Sequence, residues 1–597
     1  MNRRTSVAKR YGPLIAVVAA QVLLIATVPS TAPTATGLAV TGGGNGTSAG
    51  NGALGAGPLG ASGGASTGSA SGGAGTVGAT GAGAGTGTGS AGRDSVLGVL
   101  RQVGSDTTHC VQGREFDPAI SYWAPPCTAG TVGAANVANG GNTYQGVTKD
   151  QITIVDYLAN YGAEVNALLQ AEGTLETYNQ GVMLDKAFEN FINSKYVLYG
   201  RKVKIIPYQG QCTALPPDKN CLIPEMDNIV ATYHPLIVMW GTTVCSECYA
   251  ELAHDKTIAI GGIGFSDQLA IANEPYYYGA GESSTHIEQA FAEFWCKQMS
   301  SKSNPARKVK FAAANNPLQN FNGQPRVLGV VSTNDPDNEN TVKNVLYKAL
   351  DKCGDTDHSH EYFYSQDPNT AAQQTAAEIA AMDTPSNPAT TVLCLCDSVA
   401  PQVLYQGEQD NNYWPENVFA DVQGMGNDQT AQTYDGSLAC PHNGNGCEFD
   451  GAIGLADSAN DIPPAQLSGP KIYHLGGGQG APPTGAYNST SLAKIWLMIA
   501  DLLENTGPNI TPANVQARAP ALGSIGGGAS GLPLFQFSNH NWNWTQDARI
   551  VYWNAHKTSP SNNKAGAYVN IGTTRYKPGE YPTLPDGPVA PPVDQRR

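Results

Sequence analysis

The stretch Gly146-Val-Thr-Lys-Asp-Gln-Ile-Thr-Ile-Val-Asp-Tyr157 decides how the chain is read. A polar turn hands over to Ile152–Tyr157, a short β-branched run bounded by turn residues, which is the pattern of a buried strand. Three more such runs follow, Val203–Tyr208, Leu236–Trp240 and Thr257–Ile260, with amphipathic helices between them. From Gln180 to Ser194, Leu184, Ala187, Phe188, Phe191 and Ile192 share one helical face, and Ile287, Ala290, Phe291, Phe294 and Trp295 repeat the spacing. A second series opens with a strand at Arg326–Ser332 and a helical stripe through Val342, Val345, Leu346, Ala349, Leu350 and Cys353. It continues with strands at Val392–Cys396, Asn417–Val422 and Ala452–Ala456. Leu492, Ile495, Trp496, Ile499, Leu502 and Leu503 mark a last helix, stopped by Gly507 and Pro508. Two series of alternating strands and helices predict two α/β units. In open parallel sheets ligands sit beyond the carboxyl ends of the strands, so the candidate site comprises the loops 241–248, 261–268, 333–340, 397–401 and 423–428.

Outside this body, the chain reads differently. Of its 597 residues, 34 are Lys or Arg and 49 Asp or Glu, a net charge of −15, and charged residues make up only 14%. That balance argues against nucleic acid, which needs clustered positive charge. No charge lies between Arg10 and Arg93. The basic start through Arg10 and the apolar run Pro13–Val28 read as an export signal over residues 1–36, cleaved near Ala32 or Ala35, or kept as a membrane tether. Glycine fills 22 of the 52 positions from 41 to 92, and residues 37–92 are expected to be a disordered linker, too poor in large apolar side chains to offset chain entropy. Gly46-Thr-Ser-Ala-Gly50 matches the nucleophile-elbow pattern, but that chemistry needs a strand-turn-helix context. The remaining divisions are a stapled lead-in at 93–145, a first lobe at 146–310, a second at 311–457, and a segment at 458–597 holding a crossover, a helix returning to the first lobe, a hinge and an extension.

All twelve cysteines follow the linker, and an even count behind an export signal reads as disulfides. Cys440 and Cys447 flank the turn-forming Pro-His-Asn-Gly-Asn-Gly and are expected to bridge, as are Cys110 and Cys127. Cys245-Ser-Glu-Cys248 lacks the second CxxC or histidine pair that zinc would want, and no metal or other cofactor is expected. The simplest local pairing joins Cys212 to Cys221 and Cys245 to Cys248. Cys394-Leu-Cys396 points two sulfurs to one strand face, a poor geometry for bridging each other, so their state stays open.

Several segments are collinear with one family. Gly146 to Ile154 resembles the opening "GVTxDxIxI", Gly200-Arg-Lys-Val resembles the "GRKV" of the second strand, and Gly424-Met-Gly-Asn427 stands where a similar Gly-x-Gly-Asn loop occurs. The chain thus resembles the extracellular ligand-binding receptors of branched-chain amino-acid-type ABC transporters, the type I periplasmic binding proteins, over about residues 105–575. Cys110 with Ala124-Pro-Pro-Cys127 is similar to the cysteine-bearing start of actinobacterial members. The resemblance implies two Rossmann-like lobes joined by three crossovers near 300–325, 457–490 and 505–535, a cleft that closes on a small molecule, and a partner permease and ATPase. It implies ligand contacts from Thr242, Thr243 and Ser246 in the first lobe, with Phe265 and Ser266 on the next loop. Tyr161 matches the Tyr-Gly after the first strand. At the acid that pairs with a ligand ammonium the chain has Gln423, a neutral amide, which disfavours a free α-amino acid unless Asp397 or Asp421 substitutes. Asp337 and Tyr487 complete the candidate contacts. The resemblance also implies an alternative pairing, Cys212 with Cys245 and Cys221 with Cys248.

Each of these residues has a plainer explanation. Tyr161 fits a surface tyrosine, Thr243 and Ser246 fit helix caps, and Asn334-Asp-Pro-Asp337 is ordinary turn chemistry. His540-Asn-Trp-Asn-Trp544 suits a stacking platform or a hairpin near a hinge. The expected function is an exported binding protein that takes an amino-acid-like molecule, amide or aromatic acid to an importer, and not an enzyme. A tethered sensor ectodomain and, after it, a secreted enzyme are the alternatives.

Overall fold

The structure, a computed structural model, describes residues 110–127, 138–163, 165–166, 170, 175–239, 245–262, 264–311, 321–436, 448–527 and 531–588. The export segment 1–36, the linker 37–92, Thr242, Thr243, Cys440 and Cys447 lie outside them.

Two sheets organise the body. The first runs β2-β1-β3-β4-β5 and is parallel throughout: β1 Gln151–Asn160, β2 Lys202–Thr213, β3 Ile237–Met239, β4 Ile258–Ile260 and β5 Tyr277–Tyr278. Ile154 lies opposite Ile205 on one side and Ile237 on the other. Its helices include α1 (Tyr178–Lys195), started by Thr177, whose hydroxyl accepts from the Gln180 backbone while the Gln180 side chain accepts from Thr177 N–H. α1 buries Leu184, Phe188, Phe191 and Ile192, the face its period predicts. α2 (Lys219–Tyr233) and α3 (Ser246–His254) complete this side.

The second sheet has the order β12-β11-β10-β9-β8-β6-β7: β6 Leu328–Thr333, β7 Glu361–Tyr364, β8 Thr391–Leu395, β9 Glu416–Ala420, β10 Ile453–Ala456, β11 Ala548–Thr558 and β12 Ala565–Tyr576. Neighbouring strands among β6–β10 pair in parallel, and β10, β11 and β12 pair antiparallel. Alternate residues feed opposite faces, as the pleat requires. Val392, Cys394 and Phe419 belong to one buried cluster, and Leu393, Leu395 and Val418 to the other.

Where the chain passes between sheets departs from expectation. α4 (Ser284–Phe294) buries Ile287, Phe291 and Phe294 with Leu328, Val330 and Leu393 of the second sheet, so the first passage is at 279–283, not 300–325. An apolar stripe shows that a helix packs; it does not say on which sheet. The second passage, 457–467, falls in the expected range. The third lies at 545–547 rather than 505–535, because Phe535, Phe537, Trp542 and Trp544 belong to the first core and Ala548 to the second. Trp542 and Trp544 are buried there, which leaves no exposed stacking platform. The β11–β12 hairpin, read from sequence only as hinge and extension, adds two strands to the second sheet.

The helix α5 (Gly485–Thr506) returns to the first lobe and buries Ala493, Trp496, Ile499, Leu502 and Leu503, each large side chain contributing about 1.5–3 kcal/mol by leaving water. It ends at Gly507, whose φ of 87° suits glycine.

Five disulfides are present among the described residues: 110–127, 212–221, 245–248, 296–353 and 394–396. The two local loops therefore close on themselves, and the alternative 212–245 pairing is not formed. Cys396 lies one residue past the end of β8, where the strict alternation that argued against a 394–396 bridge no longer holds. With its sulfurs joined, Cys245-Ser-Glu-Cys248 offers no thiolates to zinc.

Candidate functional site: a cavity between the lobes

A cavity of about 740 Å³ opens where the carboxyl ends of both sheets converge. Tyr161 follows β1, Gly261 follows β4, Asp397 follows β8, Asp421–Gly424 follow β9 and Asp457–Asp461 follow β10, and all of them line it. The first turns of α5 contribute Tyr487, Thr490, Ser491 and Lys494, spaced i, i+3, i+4 and i+7 along one helical face. The lead-in segment contributes Pro118–Trp123.

The two lobes touch each other directly. Ser266, on the loop after β4, donates its backbone N–H to Asp337 Oδ2 at 2.8 Å and its hydroxyl to Oδ1 at 2.5 Å. Beside it, a Cβ on Gly264 would stand 2.3 Å from the carbonyl oxygen of Val422, an approach only glycine allows. Burial pushes the Asp337 carboxyl upward, and the two bonds from Ser266 pull it back.

Of the residues singled out in the sequence, Tyr161, Asp397, Gln423 and Tyr487 come together on the cavity wall. Ser266 and Asp337 instead bind each other across the lobes and do not line the cavity. Ser246 opens α3, its hydroxyl donating to Glu247 at 3.0 Å, and does not line the cavity. Phe265 is 3% exposed and packs edge-on against Tyr249, with ring centroids 5.1 Å apart, so it belongs to the first core and is no apolar wall for a ligand.

The acids named as substitutes for an ammonium partner at Gln423 are occupied. Asp397 accepts from Val399 N–H at 2.7 Å, Ala400 N–H at 2.9 Å and the Tyr364 hydroxyl at 2.9 Å, capping the helix Ala400–Asp410. Asp421 accepts from Gly424 and Gly426 N–H at 2.8 and 2.9 Å. Burial drives its carboxyl well up, and the neighbouring Asp457 carboxylate adds to the rise. Asp457 in turn accepts from the backbone of Glu282 at 3.2 Å, tying the first passage to the second.

The cavity floor is braced by two buried arginines of the β11–β12 hairpin. Arg549 donates to Ser458 O at 3.1 Å, Asn460 Oδ1 at 2.9 Å and Gly426 O at 3.2 Å. Arg575 is ion-paired to Asp547 at 2.8 Å and donates to the carbonyls of Asp457 and Ser458 at 2.6 and 2.8 Å. These bonds hold the 457–460 loop against the second sheet, so the hairpin shapes the site from behind.

Sequence reasoning missed Lys494, Glu282, Asp457 and the aromatic pair Tyr122–Trp123. One signal was legible: Lys494 is the single cation of α5, set between Ala493 and Ile495 on a helix otherwise largely buried. The rest depend on three passages meeting in space. Away from the cavity, Glu251, His254 and Asp255 gather ligand atoms within 4.8 Å at the end of α3, but the histidine is 79% exposed and both acids already pair with it.

No helix of the described residues is long and apolar enough to cross a membrane. No family model and no curated protein matches the sequence. The chain is structurally similar to a possible leucine/isoleucine/valine-binding protein from Rhodopirellula baltica SH 1, with a TM-score of 0.46, 12% identity, and coverage of 71% of this chain and 96% of that one. It is similar to a branched-chain amino acid ABC transporter from Thermus thermophilus with bound valine, TM-score 0.46, 10% identity, covering 71% and 96%. A third is a solute-binding protein of an ABC transporter from R. palustris in complex with 4-hydroxybenzoate, TM-score 0.45, 10% identity, covering 73% and 98%.

Proposed function

We propose that this chain is an exported solute-binding protein that encloses one small organic molecule between two α/β lobes and delivers it to an ABC importer. The single observation that carries the reading is the cavity lined by strand ends of both sheets, with the two lobes joined by Ser266 and Asp337. Wall groups such as Asp397 and Asp421 are spent on loop N–H groups, an arrangement that holds a shape and leaves no activated nucleophile among them. Within this proposal residues 1–36 direct export, 37–92 form the flexible linker, and Tyr161, Gln423 and Tyr487 touch the ligand. Ser246, whose hydroxyl is spent on Glu247, carries no role in it.

Binding by lobe closure changes the protein's dimensions. Small-angle scattering on full-length mature protein, stripped of ligand by partial unfolding and refolding, should show a radius of gyration that falls when a ligand found by a thermal-shift screen is restored. A bound ligand with no compaction, or no hit across amino acids, amides, aromatic acids and sugars, defeats the reading.

A further inference from the structure

We propose that the cavity selects a ring-bearing carboxylate, its anionic group on the Lys494 ammonium and its ring against Tyr122 and Trp123, so that the stapled segment ahead of the first strand is part of the binding site. This rests on the solute-binding reading above and names its ligand class.

Lys494 stands out because its surroundings leave it incomplete. It lies on the cavity wall, and no hydrogen bond or ion pair to it is found among the described residues; its ammonium sits over the face of Phe535, 5.3 Å from Nζ to the ring centroid. Burial holds this ammonium below the usual lysine range, while Asp457 and Asp421 act the other way from beyond ion-pair distance. Those two acids are already engaged, Asp421 by Gly424 and Gly426 and Asp457 by Glu282. An ammonium has three donors to place, and a ligand carboxylate arriving beside it takes them with charge-assisted bonds. A ligand ammonium at the same spot meets a like charge instead. Thr490 and Ser491, one turn earlier on the same face of α5, stand beside this pole.

The ring end follows from Phe535, the residue on which both halves of the site converge. Trp123 meets it edge-on and Tyr122 at a tilt, each with centroids 6.2 Å away, and the two lead-in rings lie 4.7 Å from one another. Pro118–Trp123 therefore line the same cavity as Lys494, joined to it through Phe535. The wall is kept in place by the Cys110–Cys127 bridge and by Glu115 N–H donating to Pro125 O at 3.0 Å. A flat ring exploits such edge-and-face surroundings better than a branched aliphatic chain does.

The test is calorimetric titration of the full mature protein with indole-3-acetate and 3-phenylpropionate, each beside its primary amide, and with leucine as a ringless control. Wild type should bind a carboxylate at least about ten-fold more tightly than its amide, the margin of a charge-assisted bond. Lys494→Met should collapse that ratio towards one, and Lys494→Arg should restore most of it. Trp123→Ala, checked for native circular dichroism, should weaken acid and amide alike, and Trp123→Phe should weaken them less. Retention of the acid preference in Lys494→Met, or no binding by either acid, overturns the inference. If leucine binds and compacts the protein while both acids fail, the inference falls and the solute-binding reading stands. If no compound from this panel or the wider screen binds, both fall.

Discussion

Ser266 and Asp337 join the two lobes through a pair of hydrogen bonds, 2.8 Å from the serine N–H and 2.5 Å from its hydroxyl, so the serine cap of one loop is also the latch of the cleft. Ser266 Oγ also accepts from Leu269 N–H at 3.0 Å, which fixes the direction in which its proton points. Asp337 sits early in the helix Pro336–Thr341, two residues from the strand-end loop. Ser266 is the first polar side chain past β4, and Asp337 follows Asn334 and Asp335 past the end of β6.

Removing the latch should favour the open state without unfolding either lobe. Asp337→Ala is expected to cost about 1.5–3 kcal/mol of closure, the value of hydrogen bonds to a charged group, read as weaker ligand affinity with an unchanged melting temperature of the ligand-free protein. Equal affinity in wild type and Asp337→Ala would show that the latch does not contribute to binding.

Gly264→Ala attacks closure differently. A methyl group there has both a backbone φ of +73° and the Val422 carbonyl at 2.3 Å against it. Left-handed strain alone costs about 1 kcal/mol, and the clash prevents the present approach of the loops. Scattering should report a more open average shape in the variant, with circular dichroism unchanged.

The second lobe depends on an ion pair wholly shielded from water. Arg326 donates from Nε to Glu416 Oε2 at 2.6 Å and from Nη2 to Oε1 at 2.8 Å, with both side chains at 0% exposure. Burial alone would raise the Glu416 carboxyl, yet Arg326 and the N–H groups of Lys310 and Phe311 hold it below its ordinary value. Arg326→Met strands a buried carboxylate and should cost about 3–5 kcal/mol in urea denaturation, whereas the double variant Arg326→Met, Glu416→Leu should recover much of the loss.

The first lobe should lose stability as pH rises through neutrality. Asp156 is pushed up to about 7 by burial, and its buried neighbour Asp185 is raised by burial and by the Asp156 charge. A raised folded-state pKa favours the protonated form, so its contribution is complete below the unfolded value near 3.8 and is lost as pH climbs through about 7. Melting temperatures should decline between pH 5 and 8. Asp156→Asn, which keeps the shape and removes the titration, should flatten that decline; an unaltered slope in the variant would assign it elsewhere.

Much of this architecture was written in local pattern. Val392–Cys396 announces a strand covered on both faces because it is apolar at successive positions, Ile152–Tyr157 and Val203–Tyr208 announce strands by their β-branched content, and the stripe from Leu184 to Ile192 announces a helix because its period matches 3.6 residues. Tyr161, Asp397 and Gln423 were within reach too, since a strand's carboxyl end is a position in the sequence before it is a place in space. What the chain alone left undecided was long-range. Ser246 and Phe265 follow strand ends just as Tyr161 does, and only packing shows that the first is spent on α3 and the second on Tyr249. α4 carries the same stripe whichever lobe it joins, so the passage at 279–283 awaited the second sheet. Trp123 is separated from Lys494 and Phe535 by hundreds of residues along the chain, and the three line one cavity because the passages between the lobes and a disulfide-stapled segment converge there. Periodicity reports which face of an element is apolar; which partner covers that face is settled by the summed burial of the whole body, a quantity no local window contains.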